Sequence, residues 1–76
     1  MTDRQKKILN NEIVVATVML SVAIDDEEFD ELTTVLEERY LANFRSTAEF
    51  LLEYSEHKEL YTVYDLLKKL IDKIPA

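Results

Sequence analysis

Acidic side chains are concentrated in one stretch of this sequence, residues 25–38, which reads DDEEFDELTTVLEE and contains no Lys, Arg or His. The rest of the chain is nearly neutral, with a sum of +1 for residues 1–24 and of 0 for each of residues 39–58 and 59–76. Adding −8 for this acidic stretch gives the net charge of −7 of the whole chain. The eight carboxylates are those of Asp25, Asp26, Glu27, Glu28, Asp30, Glu31, Glu37 and Glu38.

Carboxylates at this density could bind a divalent cation or a basic surface. Ca²⁺ and Mg²⁺ prefer oxygen ligands, but a rigid helix spreads such side chains around its axis, and the chain has no Gly for an EF-hand loop. We therefore expect no metal site. A helix that only needs to be soluble usually mixes Lys with Glu, so the one-sided charge predicts a face that binds a basic partner. A merely solubilising face is the alternative. The candidate partner-binding residues are Glu27, Asp30, Glu31, Glu37 and Glu38.

One possible basic partner is a nucleic-acid-binding protein, whose binding groove such a helix could occupy by mimicking nucleic acid. Glu27 and Glu31 are separated by about 6 Å of helix rise, roughly two phosphate steps along a DNA strand. Direct binding of nucleic acid or of an anionic membrane is disfavoured, because the sequence pI is about 4.5 and both of those partners are negatively charged as well.

No other set of residues has the composition or spacing of a catalytic or cofactor site. The chain has no Cys, which excludes a Cys nucleophile, a Cys-ligated metal and a disulfide framework. Its one His, His57, follows Glu53 by four residues, whereas a di-iron bundle needs two Glu-x-x-His motifs. The Ser and Thr residues near predicted helix starts are typical of caps. We therefore expect a protein that is not an enzyme and has no cofactor, with His57 at the surface.

Composition predicts an all-α fold in which one helix presents the acidic stretch. The 76 residues fit a single domain, residues 1–76. A chain this short buries only about 60% of its unfolded surface, so a partner or a second copy would add stability. Gly is absent, and tight β-hairpins depend on Gly or Asn. The absence of Cys favours a cytoplasmic location, because small secreted domains usually need disulfides.

The first helix is predicted to begin at Thr2, whose spacing from Gln5 matches a capping box, and to continue through the apolar residues 13–24. A helix this apolar is central in a bundle or shared between two protomers, and we expect a homodimer through residues 13–24. The alternatives are a strand with one apolar face and a secretory signal cleaved near Ala23. The apolar run is too short to span a bilayer, which needs about 20 residues.

The acidic stretch is predicted to form most of a second helix, from about Glu27 to Tyr40. Either Asp25 or Asp26 can cap it, and carboxylates in a first turn suit the positive end of the helix dipole. Apolar residues at spacings of three and four form a stripe that leaves the acidic residues facing water. The members of this stripe are Phe29, Leu32, Val35, Leu36 and Tyr40.

One or two more helices are predicted in the second half of the chain. Asn43 is expected in a left-handed turn conformation, and Ser46 with Glu49 has the spacing of a second capping box. The wholly polar residues 55–59 favour a break, with Ser55 capping the last helix, over one continuous helix.

The last predicted helix has an apolar face that ends before Pro75, which cannot continue a helix. Tyr61 and Leu66 lie off this face and could form a contact patch. With linkers of two to six residues, the pattern predicts a small antiparallel bundle of three to four helices. The apolar face consists of Leu60, Val63, Tyr64, Leu67, Leu70, Ile71 and Ile74.

Taken together, these patterns predict a non-enzymatic protein-interaction module, an adaptor or an inhibitor, whose acidic helix meets a basic surface of a partner protein. The alternative is an immunity-type helical protein that protects its producer against a toxin or bacteriocin. Size, acidity and helix count fit both hypotheses.

Overall fold

Four α-helices joined by short linkers form the part of the chain that the computed structural model describes, which is residues 2–39 and 43–74 without the side chain of Arg39. The predicted all-α fold is confirmed. No residue of these ranges is in a strand, so the strand alternative for residues 13–24 is wrong. The radius of gyration of 11.8 Å is close to the value of about 11 Å for a folded chain of this length. The helices are α1 (Asp3–Ala23), α2 (Asp26–Arg39), α3 (Phe44–His57) and α4 (Tyr61–Lys73).

Helix α1 begins with the predicted capping box. The backbone N–H of Gln5 donates to Thr2 Oγ1 at 3.2 Å, and the backbone N–H of Thr2 donates to Gln5 Oε1 at 3.0 Å. Leu9, Ala16 and Leu20 are buried and lie on one face of the helix. The helix contacts all three other helices, and this face supplies its part of the core.

Asp25, one of the two predicted caps, is the cap of helix α2, which begins at Asp26, one residue before the predicted start. The Asp25 carboxylate accepts a hydrogen bond of 2.8 Å from the backbone N–H of Glu28. Leu32 and Leu36 are buried, which anchors the helix to the core. Phe29 and Val35 are half-buried, and the predicted stripe member Tyr40 lies outside the described residues.

The cap of helix α3 lies three residues before the predicted one, so the prediction of a cap at Ser46 is wrong. Asn43 is the cap instead, with an extended φ of −137° rather than a left-handed one, and its side chain accepts from the backbone N–H of Ser46 at 3.0 Å. Asn caps a helix as well as Ser does. The earlier start adds Phe44, which packs against the core, to the helix.

The break between α3 and α4 falls at residues 58–60, and the prediction that Ser55 caps the last helix is wrong. Ser55 is fully buried inside α3, where its hydroxyl donates to the carbonyl of Leu51 at 2.8 Å. The backbone N–H of Leu60 donates to the Ser55 carbonyl at 2.8 Å, and that of Glu59 donates to the Glu56 carbonyl at 3.1 Å. This pair of bonds is a Schellman motif, which ends a helix at a residue in the left-handed conformation. That residue is Glu59, with φ of 59°.

Helix α4 completes the core with one apolar face. Val63, Leu67, Leu70 and Ile74 are buried, whereas Leu60, Tyr64 and Ile71 are half-buried at its margin. Among the described helices, none combines the length and the hydrophobicity that crossing a membrane would require. The buried apolar residues are Leu9, Ala16, Leu20, Leu32, Leu36, Ala48, Leu51, Val63, Leu67, Leu70 and Ile74.

Candidate functional site

The side of α2 that faces away from the core carries the predicted partner-binding carboxylates. On a helical wheel they lie opposite the buried Leu32 and Leu36, since a helix advances 100° per residue. From first to last they cover about 16 Å of helix rise. The exposed members, which we call the acidic face, are Glu27, Asp30, Glu31, Glu37 and Glu38.

The acidic face has no cationic counterpart within the described side chains. The ion pairs found there join Arg45 to Glu49, Lys58 to Glu28 and Lys73 to Glu12, and none of them includes a residue of the acidic face. Like charges that close together repel one another, and the chain does not neutralise them with its own Lys or Arg residues in the described part.

One acidic residue of α2, Glu28, is instead held by two residues of α3. The hydroxyl of Tyr54 donates to Glu28 Oε1 at 2.6 Å, and Lys58 Nζ forms an ion pair with the same oxygen. Lys58 Nζ also lies 6.0 Å from the centroid of the Tyr54 ring, within the range of a cation–π contact. This Glu28–Tyr54–Lys58 cluster fixes the first turn of α2 against the end of α3.

The cluster changes the acidity of both of its titratable partners. Lys58 and then the Tyr54 hydroxyl lower the pKa of Glu28 below its ordinary value of 4.5, against a smaller effect of burial. Burial raises the pKa of Tyr54, and the hydrogen bond to the Glu28 carboxylate raises it further. The sequence gives no signal for this cluster, because Glu28 and Tyr54 are 26 residues apart.

An apolar surface adjoins the acidic helix. Within residues 2–39 and 43–74, the large apolar residues that are exposed belong to α1, apart from Tyr61 of α4, and Val22 reaches 84% exposure. Between α1 and α2 lies a groove of about 260 Å³, lined by Val14 and Val18 on one side and by Thr33 and Glu37 on the other. We call the set of exposed α1 residues the exposed apolar face of α1: Ile8, Val14, Val15, Val18 and Val22.

Metal-binding geometry does not appear among the described residues, where no three His, Asp or Glu side chains come together to hold an ion. His57 is the exposed last residue of α3. Tyr61 is exposed as well, and Leu66 is half-buried beside Val15 in a second groove between α1 and α4.

Comparisons of the chain with protein-family models, with curated proteins and with solved structures each find no match.

Proposed function

We propose that this chain is a non-enzymatic protein-interaction module, an adaptor or an inhibitor, that binds a basic surface of another protein through the acidic face of α2. The observation that carries the proposal is the uncompensated charge: five exposed carboxylates lie on one side of one helix, and none has an ion-pair partner among the described side chains. Complementary charge of this kind increases association rates and selects against acidic partners.

The anchoring of α2 supports this proposal. Leu32 and Leu36 hold its inner side in the core, and the Glu28–Tyr54–Lys58 cluster fixes its first turn. The carboxylates of the acidic face are thus presented on a rigid element, which reduces the entropy lost on binding. If the partner's basic surface is a groove that binds nucleic acid, DNA will compete with this protein for that groove.

We also propose that the protein is a homodimer through residues 13–24 and that its bundle is antiparallel. The exposed apolar face of α1 supports the first statement, because contiguous apolar surface on a small protein is typical of an interaction site. The second is supported by the residues at the two ends of α1. Ala23 lines a cavity together with Tyr61 at the start of α4, and Ile8 lines another together with Lys73 at the end of α4. Lys73 also forms an ion pair with Glu12.

Charge reversal tests the acidic face. The variant E27K/E31K/E38K and the control E53K/E56K/D72K both have a net charge of −1, which is −7 plus three reversals of +2 each. All six positions are exposed, so both variants are expected to fold, as circular dichroism at 222 nm will verify. Each tagged protein is used to capture partners from an extract of the producing cells, and mass spectrometry compares the captured proteins.

The proposal predicts a basic protein that the wild type and the control capture and that E27K/E31K/E38K does not. A partner captured equally by all three proteins would contradict it, and so would the absence of any basic protein from the wild-type sample.

A further inference from the structure

We propose that two copies of this chain associate through α1 in an antiparallel orientation, so that the basic first turns of one helix lie against the acidic start of α2 in the other copy. The inference rests on the homodimer part of the proposed function, and it adds the orientation of the two helices and the charges that select it.

The spacing of the exposed apolar face of α1 suits a helix–helix seam. Ile8, Val15, Val18 and Val22 follow one another at intervals of seven, three and four residues, which is the a and d pattern of a heptad repeat, with Asn11 at the remaining position. Asn11 is exposed as well. The seam covers about 21 Å of α1, and its apolar members are all β-branched residues, which have few rotamers to lose on packing.

The seam is an exposed ridge with a cavity on each side of it, between α1 and a neighbouring helix. On one side, Thr33 of α2 lines a cavity together with Val18, and on the other side, Leu66 of α4 lines a cavity together with Val15. The two cavities measure about 260 and about 420 Å³. Two such apolar ridges can pack against each other, with the side chains of one helix entering the spaces between those of the other.

Charge selects a second copy as the occupant and sets its direction. Within residues 1–24, the cations Arg4, Lys6 and Lys7 all precede the seam, and the acidic stretch begins directly after it. In a parallel pair, the basic cluster of one chain would lie beside the basic cluster of the other, and the two acidic stretches would also lie side by side. Both ends of the interface would then be repulsive. An antiparallel pair places opposite charges together at both ends, and such complementarity specifies partner orientation in helical assemblies.

The positions along the chain agree with one symmetric register. Ile8 and Val22 are each seven residues from Val15. A two-fold axis at Val15 therefore places Ile8 against Val22 of the second copy, and the first turn of α1, which contains Arg4, beside the end of α1 in the second copy, where the acidic stretch follows. An isologous interface of this kind is the commonest in homo-oligomers.

Sedimentation equilibrium of the full chain tests whether α1 mediates association. The wild type is expected to be dimeric when its concentration is raised to about 100 μM. The variant V18E should be monomeric and retain its helicity, because Val18 is 57% exposed in the single chain. A monomeric wild type, or a V18E variant that dimerises as well as the wild type, would overturn the proposal.

Charge variants test the orientation. In an antiparallel dimer R4E/K7E creates repulsion at both ends, so its dissociation constant should rise at least tenfold, and the further changes D26K and E27K should restore it. In a parallel dimer R4E/K7E only exchanges one like-charge contact for another, so an unchanged dissociation constant would overturn the orientation. The control R45E/K68E has the same net charge of −11, from −7 and two reversals of −2 each, and should dimerise as the wild type does.

These outcomes are separate from those for the acidic face, because R4E/K7E leaves all five of its carboxylates in place. Capture of a basic partner by R4E/K7E together with loss of the dimer would support both proposals independently. An acidic residue also suits the first turn of a helix, so R4E is not expected to unfold α1.

Discussion

Replacing Glu59 with Gly is expected to stabilise the protein. Glu59 has a φ of 59°, and it occupies the Schellman position between α3 and α4 where Gly is the usual residue. A residue with a Cβ pays about 1–2 kcal/mol to adopt this left-handed conformation. Gly avoids that cost but loses about 0.5–1 kcal/mol more backbone entropy on folding. The net gain in unfolding free energy of E59G should therefore be about 0.5–1 kcal/mol.

Thermal and urea denaturation followed by circular dichroism at 222 nm will measure this gain. For a domain of this length, it corresponds to a rise in Tm of about 2–8 °C. Two control variants isolate the cause. E59Q removes the charge and retains the side chain, and E59A retains the Cβ atom, so neither should gain stability from relief of backbone strain.

A gain in E59A or E59Q as large as that in E59G would refute the backbone explanation and assign the effect to loss of the carboxylate. An unchanged or lower unfolding free energy in E59G would show that the left-handed conformation of Glu59 is not strained. The motif would then be held by its two hydrogen bonds at no measurable cost.

Two further predictions concern other junctions of the bundle. Because the folded state holds the pKa of Glu28 below 4.5, its contribution to stability is fully present above that pH and is lost as the pH falls through the folded pKa. The deficit of E28Q relative to the wild type in urea denaturation should therefore be largest above about pH 5 and shrink as the pH falls below 4.5; a constant deficit would exclude the ionised carboxylate as its source. N43A should lower the unfolding free energy by about 1 kcal/mol, whereas N43S, which retains a capping oxygen, should lose much less. Equal losses in the two variants would contradict the assignment of Asn43 as the cap of α3.

The helical type of the elements, and their number as three or four, could be predicted from local patterns, because each helix buries an apolar stripe with spacings of three and four. The same periodicity indicates which carboxylates of α2 face water, since they lie opposite Leu32 and Leu36. Thr2 and Gln5 specify the start of α1 within the first turn itself. These predictions depend only on interactions between residues that are close to one another in the sequence.

The errors occur where local signals compete or where contacts are distant. Asn43 and Ser46 are both good caps, and the packing of Phe44 against the core favours the earlier start. Glu59 has no intrinsic preference for positive φ, so nothing in its residue type indicates the end of α3. Glu28 looks like one more exposed carboxylate until the fold brings Tyr54 within hydrogen-bond distance.

The dissociation constant of the complex with the captured basic partner tests the role of the acidic face most directly. Titration calorimetry should be performed with the wild type, E27K/E31K/E38K and E53K/E56K/D72K at low and at physiological ionic strength. We predict that the acidic-face variant binds at least tenfold more weakly than the wild type at low salt, a loss of about 1.4 kcal/mol. The control should bind as tightly as the wild type does. Physiological ionic strength should weaken the complex of the wild type and the complex of the control. Equal weakening in the two charge variants would contradict the assignment, because it would attribute binding to net charge and not to the carboxylates of α2.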